Sequence, residues 1–315
     1  MIKFYAKPNR QLVEKDELHS ACWVNISPPF NQEELEYLAQ ELDIPLDFLT
    51  DSLDIDERSR YEREDDVRLI VLNTPVLNTM ETSNSAIYIT VPIGIILTLD
   101  HIVTITAYEN PVLNRFLEGR IKHFEPEDAS LFVLQIMEQN VYRFLNCLKD
   151  LNLKRNMLEQ ELYHSSQNRE LHQLLSIEKS LVYFVTALSG NELLKMKMQR
   201  TDFLRIRDDE DKTDLFADII IDNGQAVEMA NVYTNILSGT MDAFASIISN
   251  NLNIVMQRLT LITIILMVPT LVASFFGMNV ATGLENNMTA FYIIISISVF
   301  FAFSLAWFFR RKKLF

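Results

Sequence analysis

The sequence predicts an α+β protein: an α/β domain over residues 1–125, then long helices, then two C-terminal membrane-spanning helices. Three observations predict it. Strand-like and helix-like runs alternate before Pro126. Residues 127–268 contain no proline and only three glycines, at 190, 224 and 239, the texture of continuous helix. Two uncharged stretches, residues 259–276 and 290–309, have 18 and 20 residues. At about 1.5 Å per residue each can cross a hydrocarbon core of about 30 Å.

In chain order, the predicted strands are IKFYA (2–6), CWVNIS (22–27), VRLIVLN (67–73), SAIYITV (85–91) and GIILTLDHIVTITA (94–107), the last as a hairpin turning near Asp100. Between the second and third, NQEELEYLAQEL (31–42) predicts a helix. Asn31 can cap it, and Glu33 and Glu34 suit its positive end. Polar breaks at HSSQN (164–168) and RDDEDKTD (207–214) divide the proline-free region into three long helices. The third is expected to run from about Asp214 through Phe276, roughly 90 Å of helix. This gives an α/β domain (1–125), long helices ending in a stalk (126–258), a first membrane helix (259–276), an external loop (277–289), a second membrane helix (290–309) and a basic tail (310–315).

The flanks set an expected orientation. RRKK (310–313) follows the second apolar run, whereas residues 280–289 contain no Lys or Arg. The positive-inside rule then places both termini in the cytoplasm of a cell-membrane protein. The N-terminal MIKFYAKPNR shows no secretory signal pattern. A net charge of -14 argues against nucleic acid and suits either cation gathering or simple solubility. Cys22 and Cys147 are too far apart in sequence for a metal-binding pair motif, and a reducing compartment is consistent with them.

Within the third long helix, Asn253, Met256, Thr260, Thr263, Met267, Thr270, Ser274 and Gly277 recur at spacings of 3 and 4. That is one continuous face of amides, hydroxyls, methionines and small residues, with Leu, Ile, Val and Phe elsewhere. Such a stripe can close helix–helix contacts, or it can line a watery conduction path. Two membrane helices cannot enclose a pore, so the second reading requires several copies of the chain around an axis. The stripe ends in SFFGMNV (274–280). At a helix C-terminus free carbonyls and the negative dipole end favour a cation. Gly277 permits close approach or departure from helical geometry, and Asn279 offers an uncharged carbonyl oxygen. A ring of such groups suits an ion that keeps its water shell, as magnesium does.

A Gly277-Met278-Asn279 motif closing the first of two C-terminal membrane helices, before a short loop and a basic tail, resembles the CorA family of divalent cation transport proteins. The resemblance spans essentially the whole chain and includes CWVNI (22–26) and DSLDIDERSRYE (51–62). It implies a funnel-shaped homopentamer in the lipid bilayer that conducts magnesium passively inward, with Asn279 forming the outer ring that first holds the hydrated ion. Pore positions carried over from the family fall on Asn253, Met256, Leu259, Thr263, Met267 and Thr270. They differ from the strict spacing in choosing Leu259 over Thr260, and both stand open. The resemblance also implies regulatory magnesium sites between subunits, matching Asp218 and Asp242, with Glu81 as the nearest acid for a partner. Asp218 as an ordinary solvated helix residue is the other reading. The loop VATGLENNMTA departs from the family pattern: its single acid is Glu285, and it lacks the common proline and tryptophan.

Transport of zinc, cobalt or nickel, with possible proton coupling, is the alternative within the same family. Softer metals prefer imidazole and thiolate, and neither His nor Cys occurs beyond residue 172. A membrane-anchored enzyme is disfavoured. There is no phosphate-cradling glycine loop, HExxH or G-x-S-x-G, and His19, His101, His123, His164 and His172 have no metal-ligand spacing. No organic cofactor is expected. A non-conducting cation sensor is the remaining class.

Overall fold

The computed structural model describes residues 1–7, 12–18, 22–79, 85–164, 168–278 and 288–312. They form two compact units, Met1–Thr240 and Met241–Phe315. The first contains a seven-stranded sheet built from β1 (Ile2–Ala6), β2 (Val13–Lys15), β3 (Trp23–Ile26), β4 (Arg60–Glu64), β5 (Val67–Leu77), β6 (Tyr88–Leu97) and β7 (Ile102–Ile105). The strand order is β2-β1-β3-β7-β6-β5-β4. Only β3 and β7 pair in parallel; every other pairing is antiparallel.

Strand–helix alternation predicts parallel pairing, but the alternation holds only between β3 and β4. There α1 (Gln32–Glu41) and α2 (Leu46–Asp51) intervene. Asn31 caps α1 by accepting from the Glu33 N–H at 3.1 Å. The two predicted segments 85–91 and 94–97 are one strand, β6, which turns back at Leu97 opposite Ile102. The charged strands β2 and β4 are not among the predicted strands. They lie at the two sheet edges, where charged side chains discourage pairing with another chain.

Alternation along β5 divides the core. Ile70 and Leu72 join Trp23, Ile93 and Ile95 against helices α3 (Pro111–Leu117), α4 (Ala129–His164), α5 (Asn168–Thr201) and the first turns of α6 (Glu210–Phe276). Val67, Leu69 and Val71 join Ile96 and Val103 against α1 and α2. Both faces are covered, which is why the central strands read as unbroken apolar runs. Trp23 sits among Phe116, Phe124 and Phe132, with its Nε1–H donating to Thr104 Oγ1 at 2.8 Å. On the opposite face Gly94 is required by contact: a Cβ there would stand 2.1 Å from Ser52 Oγ. A buried amide network fastens the sheet to the helices. Asn191 accepts from Ser59 Oγ at 2.7 Å and from the Asn73 N–H at 3.1 Å, while Asn140 donates to the Asn73 carbonyl at 2.9 Å.

The second unit contains the C-terminal part of α6 and α7 (Met288–Arg311). Both helices are long and apolar enough to cross a membrane, and only 6% of each apolar window is buried. A soluble core helix would be covered, so the exposed surface asks for lipid or for other copies of the chain. Tyr292 near one end of α7 and Trp307 near the other, followed by Arg310 and Arg311, match the interfacial placement of aromatic and basic residues.

Candidate functional site

The α6 helix is continuous from Glu210 to Phe276, with Pro269 inside it. Its helical geometry puts Asn253, Met256, Thr260, Thr263, Met267, Thr270 and Ser274 on one side, as their spacing requires. All are exposed, as is Leu259. The 100° step between Leu259 and Thr260 leaves the choice between them to the helix's rotation about its axis.

Three threonine hydroxyls are already engaged. Thr260 donates to the Met256 carbonyl at 2.8 Å, Thr263 to Leu259 at 2.9 Å and Thr270 to Leu266 at 3.0 Å. With the proton spent inside the helix, each oxygen turns only lone pairs outward. The stripe therefore presents acceptors, and the water shell of a metal cation presents donors. Sequence spacing shows where the hydroxyls lie but not this polarity.

At the helix end, the Gly277 N–H still makes a helical bond to Ala273 O at 2.9 Å. The next N–H, on Met278, turns to Phe275 O at 3.4 Å and leaves the Ser274 carbonyl without its helical donor. The departure from helical geometry thus begins at Met278, one residue after the glycine. A Cβ on residue 277 would lie 3.3 Å from Ala273 O, a tight contact rather than a collision. The helix end therefore takes a side chain there only if the Ala273 carbonyl gives by a few tenths of an ångström. Asn279 and Glu285 lie outside the described residues, as does Glu81.

Asp218 and Asp242 are both exposed on α6. Two acids that sequence reasoning missed share with Asp218 an influence on the Tyr142 phenol: Glu138 on α4 and Asp222 on α6. Glu138 first, then partial burial, Asp222 and Asp218 hold the Tyr142 phenol above its ordinary pKa. The signal was available as two i, i+4 pairs, Glu138/Tyr142 and Asp218/Asp222, each on one helix face. Among the described residues no three acidic, imidazole or thiol side chains converge closely enough to hold a metal ion. The other flagged motifs have structural work. Arg60 in DSLDIDERSRYE bridges Asp51 and Glu57, each at 2.9 Å, and also Glu62.

Comparison with known proteins agrees with this architecture. The CorA-like Mg2+ transporter protein family matches residues 19–311. The cobalt/magnesium transport protein CorA of Methanocaldococcus jannaschii is 26% identical over 299 residues, covering 94% of this chain and 92% of the relative. The complete structure of the CorA magnesium transporter from Methanocaldococcus jannaschii superposes with a TM-score of 0.82 at 22% identity, covering 99% of this chain and 98% of the other. The ZntB cytoplasmic domain from Vibrio parahaemolyticus gives 0.60 at 9% identity over 79% of this chain and 98% of its own. An exposed polar stripe, two membrane-length helices and a family match across nearly the whole length converge: the chain belongs to the CorA-like Mg2+ transporter family.

Proposed function

We propose that this chain is a passive magnesium channel: several copies, five by family resemblance, surround a path lined by the α6 stripe and admit hydrated ions. The observation that carries this reading is the polarity of that stripe, whose threonine oxygens are left as acceptors. Uncharged acceptors hold the water around a small, hard cation without trapping the ion itself. Gly277, Met278 and Asn279 form the entrance, at the negative end of the helix. Glu285 is the one acid of the adjoining loop.

In this reading Arg310 and Arg311 hold the C-terminus in the cytoplasm, and the two crossings bring the first unit to the same side. The segmentation is then a cytoplasmic α/β domain, helices ending in a stalk, a pore helix, an outer loop, an outer helix and a basic tail. Asp218, with Glu138 and Asp222, and separately Asp242, are the regulatory positions. Carboxylates gathered between subunits repel one another unless a cation lies among them, so internal magnesium favours the closed arrangement and its loss the open one. The chain acts as a transporter rather than as an enzyme and uses no organic cofactor.

The name of the Methanocaldococcus jannaschii relative includes cobalt, so cobalt is a second candidate cargo. A fully hydrated ion needs no soft ligand, which makes discrimination a matter of hydration. The test is flux into proteoliposomes with magnesium, cobalt, nickel and zinc in parallel, at two lumenal pH values. Magnesium influx that is independent of lumenal pH and nearly abolished by Asn279→Ala is expected. Influx unchanged in Asn279→Ala would remove that residue from the path, and a strict pH dependence would favour a coupled carrier.

A further inference from the structure

The chain has 42 acidic and 28 basic side chains, so a place where arginines outnumber acids runs against its composition. One such place lies between α3 and α4, a concavity of about 310 Å3 lined by Arg115, Arg120, Arg143, Gln139, Asn146 and Glu118, among others. Glu118 is its one acid and is committed to Arg120 at 2.8 Å. Arg115 and Arg143 have no carboxylate within ion-pair distance among the described residues. Arg143 makes one long contact, Nε–H to the Pro75 carbonyl at 3.5 Å. Asp150, the acid that senses its field, is occupied by Lys154 at 2.8 Å and by the Tyr88 hydroxyl at 2.9 Å.

A second, independent feature of the same wall is Gln139. Its side chain is 7% exposed, and its Oε1 is a buried acceptor without a hydrogen-bond partner. The amide orientation is fixed, because Nε2 donates to Glu138 Oε2 at 3.1 Å. An unmet buried acceptor carries a cost that a ligand hydroxyl could relieve. The wall thus offers guanidinium donors for an anion and one acceptor for a proton on that anion.

We propose that this concavity binds a small tetrahedral oxyanion that carries a hydroxyl, namely inorganic phosphate in its hydrogen phosphate forms. Arg115 and Arg143 donate to the charged oxygens, and the P–OH donates to Gln139 Oε1. Sulfate has the same shape and charge but no proton to donate at neutral pH. The site should therefore separate the two anions, which a merely basic patch would not.

The experiment is titration calorimetry of the full chain in detergent, at pH 7 and fixed ionic strength in magnesium-free buffer, with sodium phosphate and with sodium sulfate. Phosphate is expected to bind about tenfold more tightly than sulfate, the worth of one hydrogen bond to an otherwise unmet buried group. Gln139→Leu should reduce that preference to near unity while leaving sulfate binding in place. Arg143→Gln should weaken both anions at least tenfold at an unchanged melting temperature, and Arg115→Gln, on the other helix, should do the same. Equal affinities for the two anions in the unaltered protein, no binding of either, or phosphate binding indifferent to both arginine substitutions would overturn the proposal.

Discussion

Single residues carry two different kinds of constraint here. Lys195 on α5 is fully buried, and its Nζ donates to Asn223 Oδ1 on α6 at 2.6 Å. Asn223 in turn donates to the Leu188 carbonyl at 3.0 Å. Burial lowers the lysine pKa to about 7, with the nearby Glu192 opposing. The unfolded chain keeps its lysine protonated up to about 10.4, so between pH 7 and that value it binds more protons than the folded protein does. Stability contributed at this position therefore rises with pH across that window, at up to about 1.4 kcal/mol per pH unit, and below pH 7 the burial cost is fully present. Lys195→Met should flatten the rise, read as melting temperature against pH from 7 to 10; parallel curves for the two proteins would contradict the assignment. Gly277 is constrained differently. A Cβ there asks the Ala273 carbonyl to give by only a few tenths of an ångström, so Gly277→Ala should leave the melting temperature within a degree or so yet reduce magnesium flux severalfold. A variant that unfolds would instead make the glycine structural.

Among the elements, legibility followed burial and periodicity. The long helices were plain in the sequence because nothing interrupts residues 127–268 with proline, and the polar breaks fall between the end of α4 and the start of α5 and at the start of α6. The central strands β5 and β6 were legible as apolar runs because helices cover both their faces. β4, RYERE, was not, since an edge strand carries charge for reasons of protection rather than packing. The stripe on α6 was legible as a spacing. The direction of its hydroxyl protons was not, because that depends on the i−4 carbonyl each threonine finds. Glu138 escaped notice because its link to Asp218 runs through the Tyr142 phenol that both influence, from helices far apart in sequence. The acceptor role of the stripe has a direct test. Thr263→Val keeps the shape and removes the oxygen, and magnesium influx into liposomes should fall about fivefold, one hydrogen bond's worth. Unchanged influx would return the stripe to helix packing. Thr260→Val then fixes the rotation, since unchanged flux there places Leu259 on the path.

At the scale of the molecule, the chain divides into a folded unit with a complete core and a helical unit whose surface is apolar and uncovered. The first buries its apolar side chains within itself; the second leaves them to lipid or to other copies of the chain. One helix, α6, contributes to both, so the proposed ion occupancy at Asp218 and the stripe lie on a single element. The proposed gating would need no nucleotide, only a difference in cation affinity between two arrangements of the proposed assembly. The most direct measurement is magnesium influx into proteoliposomes carrying only this chain, driven by a magnesium gradient without nucleotide or proton gradient, at low and then at millimolar lumenal magnesium. The account predicts rapid influx that slows as lumenal magnesium rises, with the slowing lost in Asp218→Asn. No influx under the gradient alone would contradict it.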